Sequence, residues 1–315
     1  MIAKYYTVHT KLWIFWWCVL VGFASGLTPA AREEDARPVC ECGSNSKPLQ
    51  TRVVGGKNAA AGDFPYATGL LASYNIIFGR QVLGTMDYTP YCGGTLITDK
   101  HVLTAAHCVR DRTASQIRLD VGEYSIEDKK ESRIIRDARS LLKHPKYVPK
   151  VFRNDIAIIE LAEPVKLNSK LKAAWLPPQD ARIASGTPVT VYGWGRLDYE
   201  GGRPQVLQML QMPVVSRSEC QEHLVTPITP NMLCAGGEQG KDACIGDSGS
   251  GLTTKRKDEN VVVGVVSFGR KCALPHIAGV YTKVSGFSDW IYENTRSTEC
   301  QPCIASLEDF AEDSQ

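Results

Sequence analysis

The 315-residue sequence has almost no net charge, because 36 Lys and Arg against 34 Asp and Glu leave a formal +2. Residues 297–315 carry Glu299, Glu308, Asp309, Glu312 and Asp313 and no basic residue, so residues 53–296 hold an excess of roughly five positive charges. So mild an excess does not suit a polyanion binder, and no nucleic-acid partner is expected. No Asn-x-Ser/Thr triplet occurs, which excludes N-glycosylation. Beyond Leu12–Ala24 no stretch is apolar enough to cross a membrane, and that run is shorter than the ~20 residues a spanning helix usually needs. Lys4 and Lys11 precede it and Ser25 and Gly26 follow, so residues 1–26 read as a signal peptide, with an uncleaved anchor as the alternative. A secreted, extracellular protein without a stable membrane span is expected.

Cysteine, by contrast, is plentiful. Eleven cysteines in a secreted chain point to disulfides rather than metal-binding thiolates. Cys18 lies in the targeting run, which leaves an even set of ten. Residues 27–52 are polar and irregular, with Pro38, Gly43, Asn45 and Pro48, and read as an exposed pro-segment. It ends at Thr51-Arg52 before Val53-Val54-Gly55-Gly56, a basic cleavage point ahead of a small apolar residue and two glycines. From Val53 to about Glu163, short strand-like runs alternate with turns, among them Cys92–Thr98, Gln116–Val121 and Asp155–Leu161. Residues 185–290 repeat the pattern in Thr187–Gly195, Val261–Gly269 and Gly279–Val284. Phe287, Trp290 and Ile291 then fall at helical spacing in Ser285–Asn294, which predicts a closing helix. An antiparallel barrel or sandwich follows.

Three short runs carry the chemistry. Lys241-Asp-Ala-Cys-Ile-Gly-Asp-Ser-Gly-Ser-Gly251 offers Ser248 as a nucleophile, which needs a base and a carboxylate to act near neutral pH. His107 in Leu103-Thr-Ala-Ala-His-Cys108 is flanked by small residues and tied by a cysteine. Asp155 follows Arg153-Asn154 and opens an apolar strand, so it places a carboxylate where a strand meets the core. The order His107, Asp155, Ser248 is one of the chain orders in which a Ser-His-Asp triad occurs. With Arg52-Val53-Val54-Gly55-Gly56, these motifs make residues 52–295 resemble the trypsin/chymotrypsin family of serine proteases.

That resemblance implies an all-β fold of two six-stranded antiparallel β-barrels with a C-terminal helix, in a peptidase domain at 53–296 between a 27–52 pro-segment and an acidic tail at 297–315. It implies Ser248 as nucleophile, His107 as general base and Asp155 as the group orienting the imidazole. Gly246 and Ser248 N–H groups would form the oxyanion hole, each donor contributing about 3–4 kcal/mol in the transition state. Asp247 would pair with the amine freed at Val53 by cleavage after Arg52. Asp242 would sit at the floor of the primary pocket with Gly269 and Gly279 on its walls, selecting Arg or Lys. Ala243 beside it offers no hydroxyl to lysine's ammonium, which favours Arg. Ser267, Phe268 and Gly269 match the segment that pairs with substrate as an added strand, Phe268 standing where Trp is usual.

Family matching pairs Cys92 with Cys108, Cys220 with Cys234 and Cys244 with Cys272. Cys40, Cys42, Cys300 and Cys303 remain, which suggests a pro-segment tethered to the C-terminal end; local Cys40–Cys42 and Cys300–Cys303 loops stay open. Trp175 stands where chymotrypsin has the cysteine that holds its own pro-peptide. Gly249-Ser250-Gly251 departs from the usual Gly-Gly-Pro, and Ala72–Tyr91 is expected as a long loop near the cleft. No metal or cofactor is expected; calcium is the alternative, since Gly122–Arg133 carries Glu123, Glu127, Asp128 and Glu131 alongside Lys129 and Lys130. The expected partners are protein substrates, an activating protease and protein inhibitors. A zymogen of an extracellular cascade or a venom leads, with a digestive trypsin or a catalytically silent binding homologue as alternatives.

Overall fold

Runs rich in Val, Ile, Thr and aromatic residues, bounded by glycines, pair here as antiparallel strands. The computed structural model describes residues 36–43, 56–78, 81–87, 89–126, 133–196, 202–238, 246–269 and 276–311. Its strands are β1 (Lys57–Asn58), β2 (Ala67–Phe78), β3 (Gln81–Asp87), β4 (Cys92–Leu96), β5 (His101–Thr104), β6 (Ile117–Val121), β7 (Ile134–Lys143) and β8 (Ala157–Leu161). A second set follows: β9 (Pro188–Gly193), β10 (Gln208–Val215), β11 (Met232–Gly236), β12 (Gly251–Arg256), β13 (Glu259–Phe268) and β14 (Ala278–Lys283). The first set closes in the order β2-β4-β5-β8-β7-β6, with Thr68 opposite Val121 at the seam. The second closes as β9-β10-β11-β14-β13-β12, with Leu252 opposite Val191. These are two closed six-stranded antiparallel barrels, each with one further strand attached, β3 on the first and β1 on the second.

Closing the barrels removes their edges and turns alternate side chains inward. Leu103 and Ile158 face each other across β5 and β8, fully or almost fully buried. One apolar cluster joins these residues to Tyr192, Val262 and Val265 of the second barrel, so the two barrels share a core along their contact. The predicted closing helix is α3 (Ser288–Glu293), preceded by a 3₁₀ turn. Phe287 and Ile291 are buried in the shared cluster and Trp290 packs against it. Each such side chain contributes on the order of 1.5–3 kcal/mol when fully buried.

Two parts of the chain differ from the sequence expectation. The stretch Ala72–Tyr91 is not a long loop: β2 and β3 pair from Ser73 opposite Asp87 to Phe78 opposite Gln81. The β-formers Tyr74, Ile76, Ile77, Phe78 and Val82 account for the hairpin. The pro-segment, expected as an exposed linker, is packed over residues 37–43. Cys40 bonds to Cys300 and Cys42 to Cys303, with Cα separations of 4.9 and 6.4 Å. Cys40 N–H donates to Gln301 C=O at 3.0 Å, and Gly43 N–H to Ala173 C=O at 2.8 Å. Leu176 in turn accepts from Ala305 and donates to Cys303, so residues 173–176 lie between the two terminal segments. Arg37 completes the tie, donating to Thr295 C=O at 2.9 Å and to the Thr298 hydroxyl at 2.8 Å.

Candidate active site

His107 sits on the short helix α1 (Ala106–Val109), directly after β5, and the Cys92–Cys108 disulfide fastens that helix to β4. Asp155 lies two residues before β8, which pairs with β5, so the barrel register carries the two side chains together. The Asp155 side chain is completely buried. A buried carboxylate is tolerated only when its oxygens are hydrogen-bonded. Here Oδ1 accepts the His107 backbone N–H at 2.8 Å, and Oδ2 accepts His107 Nδ1 at 2.7 Å and the Ser267 hydroxyl at 2.6 Å. The Thr282 hydroxyl donates to the Asp155 carbonyl at 2.8 Å. A carboxylate only accepts, so Nδ1 carries the imidazole proton and Nε2 keeps its lone pair. The His107 side chain remains 18% exposed, and its Nε2 lies 3.7 Å from the Cys108 sulfur, on the side of the ring away from Asp155.

Ser248 reaches the barrel contact on a turn stitched to both barrels. Gly93 N–H on β4 donates to the Ser248 carbonyl at 2.8 Å, while Gly249 N–H donates to Val266 C=O on β13 at 2.9 Å. The Cys108 sulfur lies 3.5 Å from the same Ser248 carbonyl oxygen, so the turn abuts the helix bearing His107. Gly246 has φ of +106°, a conformation that favours glycine, two residues before the serine. Asp247 Oδ1 accepts from Gly195 N–H at 2.8 Å, just past the end of β9.

The departure from Gly-Gly-Pro after the serine has a packing reason. A Cβ on residue 251 would stand 2.6 Å from Tyr192 Oη and 2.7 Å from Thr95 Oγ1. Those two hydroxyls are hydrogen-bonded to each other at 2.6 Å and buried, and burial pushes the Tyr192 phenol up. Gly251 therefore makes room for a hydrogen bond between the barrels. Ser250 is buried too, its hydroxyl lying where a side chain on Gly93 would be, and its backbone holds the turn through Ser250 N–H to Asp247 C=O at 2.9 Å.

Ser267 was expected only as backbone for a bound strand, yet its hydroxyl lies on Asp155, a contact across 112 residues that no local pattern announces. Phe152 is a second residue the sequence reading passed over. It takes the left-handed conformation at φ 51°, stacks on Phe268 with centroids 5.1 Å apart and meets the His107 ring edge-on at 5.8 Å. A bulky residue in that conformation marks a constrained position, of the kind that gathers at functional sites. Its signal, if any, was an aromatic three residues before the aspartate. Among the described residues no atom lies within 4 Å of where a side chain on Gly269 would start, and Gly279 lies on β14 opposite Ala235. Arg52, Val53, Asp242, Cys244 and Cys272 lie outside the described residues. Cys220 and Cys234 are bonded, bracing α2 (Arg217–Glu222) against β11.

The acidic loop raised for calcium is described only in part, since residues 127–132 lie outside the described residues. Glu123 accepts from Tyr124 and Ser125 N–H at 2.8 Å each, and Arg133 Nε stands 3.2 Å from its other oxygen while also bonding to Asp120. Arg133 thus pairs with the two described carboxylates, while Glu127, Asp128 and Glu131 lie outside the described residues.

The family model described as Trypsin matches residues 53–291. Trypsin II-P29 of Gallus gallus is 37% identical over 244 residues, covering 77% of this chain and 88% of that protein. Chymotrypsin-C of Rattus norvegicus is 36% identical over 259 residues, or 80% and 92%. Serine protease filzig of Drosophila melanogaster is 36% identical over 263 residues, which is 81% of this chain but only 15% of filzig.

Proposed function

From the premise that the chain belongs to the trypsin family of serine proteases, we propose that it is an active, secreted endopeptidase that cuts after Arg, or Lys, once cleaved after Arg52. The observation that carries the catalytic part is the fully buried Asp155 carboxylate, which accepts both His107 N–H groups and the Ser267 hydroxyl. Held in this way, His107 presents a basic Nε2 to the Ser248 hydroxyl. Nε2 takes the proton as Ser248 Oγ attacks the substrate carbonyl, and Asp155 stabilises the imidazolium that results. The proton then passes to the leaving amine, and water repeats the sequence on the acyl-enzyme. Gly246 and Ser248 N–H groups receive the oxyanion.

Selection of Arg or Lys rests on the sequence positions of Asp242, Gly269 and Gly279. Relatives named trypsin and chymotrypsin align about equally well, so overall likeness does not choose between specificities. Activation rests on Arg52-Val53 and on Asp247, whose carboxylate faces the end of β9, where a new amine would meet it as a buried ion pair. A regulatory rather than digestive role draws its support from the two disulfides at Cys40 and Cys42. They keep the pro-segment attached after the cut, as a light chain.

The test is covalent labelling by a phosphonate carrying an Arg side chain, before and after cleavage at Arg52. Labelling of Ser248 only in the cleaved protein is expected. No labelling after verified cleavage would return the protein to the silent binding class, and undiminished hydrolysis of Arg substrates by Asp242→Ser would remove the specificity assignment.

A further inference from the structure

A cavity of about 610 Å³ opens on the second barrel, between the chain before β9 and strands β10, β11 and β14. Its size is that of an ordinary ligand pocket. Three cations line it, Arg182, Arg217 and Lys283, and no acidic residue does. They come from three separate elements: Arg182 precedes β9, Arg217 begins α2, and Lys283 ends β14. Arg182 and Arg217 are exposed, whereas Lys283 is half-buried. Among the described residues no carboxylate stands within ion-pair distance of any of the three. Burial pushes the Lys283 amine down, Asp180 opposes that and Arg182 adds to it. Between the cations the wall is mixed, with Ile183, Val215 and Pro230 beside Ser185 and Ser216.

Lys283, partly desolvated and beside Arg182, is left in want of an anion, because burial and the neighbouring cation both raise the cost of its charge, and Arg217 adds a third positive group at the rim. We infer that this cavity is a docking site for an acidic peptide segment, whose carboxylates meet Arg182, Arg217 and Lys283 while an adjoining apolar side chain covers Ile183, Val215 and Pro230. The apolar side chains Ile183, Val215 and Pro230 between the cations favour this occupant over a sulfated polysaccharide, which has no apolar side chain to set against them. The site stands apart from the catalytic residues, although Lys283 follows Thr282, whose hydroxyl holds the Asp155 carbonyl.

The test uses the full chain and a fluorescent peptide of alternating Glu and Leu, read by anisotropy. Saturable binding is expected, with the Gln-for-Glu peptide roughly tenfold or more weaker, the loss that goes with removing charged hydrogen bonds. A protein carrying Arg182→Gln and Lys283→Gln is expected to lose at least the same factor while melting at the parent temperature. If the double variant does not fold, Arg182→Gln alone carries the test, since that residue is exposed. Absence of peptide binding, equal binding of the neutral peptide, binding by a folded variant as tight as the parent's, or capture of a heparin oligosaccharide in place of the peptide would each overturn the inference. Binding is read without turnover, so an inactive enzyme would defeat the protease reading and leave this one standing.

Discussion

Two histidines six residues apart flank the end of β5, and the chain treats them in opposite ways. His107 faces the barrel contact with its Nδ1 on the buried carboxylate of Asp155 and part of its ring in solvent. His101 is 2% exposed and meets only hydroxyls at ring-hydrogen-bond distance: Thr98 Oγ1 lies 3.0 Å from Nδ1 and Ser297 Oγ 3.3 Å from Nε2. Glu160, its partner across β5 and β8, is engaged with Lys100 at 3.0 Å. Burial therefore decides, and the His101 pKa is pushed down to about 4, against a smaller upward pull from Glu160. The contrast shows what a carboxylate does for an imidazole. One ring is held against a buried carboxylate and stays partly exposed, and the other is kept neutral as a buried hydrogen-bonding piece.

The strongest way to break the comparison is to remove the carboxylate. Asp155→Asn offers an amide where His107 needs an acceptor, and kcat is expected to fall roughly 10⁴-fold, the size found for the equivalent change in this type of triad. Glu160→Gln, on the other side of β5, should leave kcat alone. Comparable losses in both would mean that the two clusters do not differ in role. The next effect is on stability. His101 binds no proton in the folded state until about pH 4, whereas the unfolded chain protonates it near 6.5. Stability is thus lost as pH falls through that window, by roughly 3 kcal/mol in all, and none of the loss is present above it. Urea unfolding at pH 7 and pH 4 should show a smaller acid loss in His101→Gln than in the parent; an equal loss would mean that the imidazole plays no part. Ser267→Ala comes third. It removes one buried charged hydrogen bond from Asp155, worth about 1.5–3 kcal/mol of stability, so the melting temperature should fall by several degrees, while kcat/KM drops roughly tenfold through the part of that bond felt only in the transition state.

His107 and His101 also differ in how far the sequence announced them. The barrels were legible because strand-forming runs and turns alternate in both halves, and the His107, Asp155 and Ser248 motifs are short and contiguous. Ser267 on Asp155, Phe152 on Phe268 and the His101 cluster join residues distant in sequence, and no local periodicity encodes them. Gly251 looked like a departure from pattern until Tyr192 and Thr95 were seen to fill its side-chain space. The long stretch after Ala72 was misread because length alone was weighed, when its β-branched and aromatic residues favour a hairpin. The four outer cysteines left several pairings open, since connectivity depends on where the terminal segments run rather than on spacing.

The smallest effect tests whether the disulfide-tethered segment around residues 37–43 reaches one histidine and not the other. Arg37 belongs to the tethered segment and donates to Thr295 and Thr298, close to Ser297, whose hydroxyl lies on His101 Nε2. Its positive charge disfavours an imidazolium at His101, ranking behind burial and behind Lys100 among the influences that lower the pKa. Neutralising it in Arg37→Gln should therefore move the His101 titration upward, toward the ordinary value, by less than Lys100→Gln does. The Cys40–Cys300 bond still holds the segment in place, so the change reports charge rather than detachment. Imidazole NMR titrations follow both rings in one sample. A His101 shift with an unmoved His107 would mean that the tethered segment acts on His101 alone, whereas equal movement of both rings would erase the distinction between the two sites.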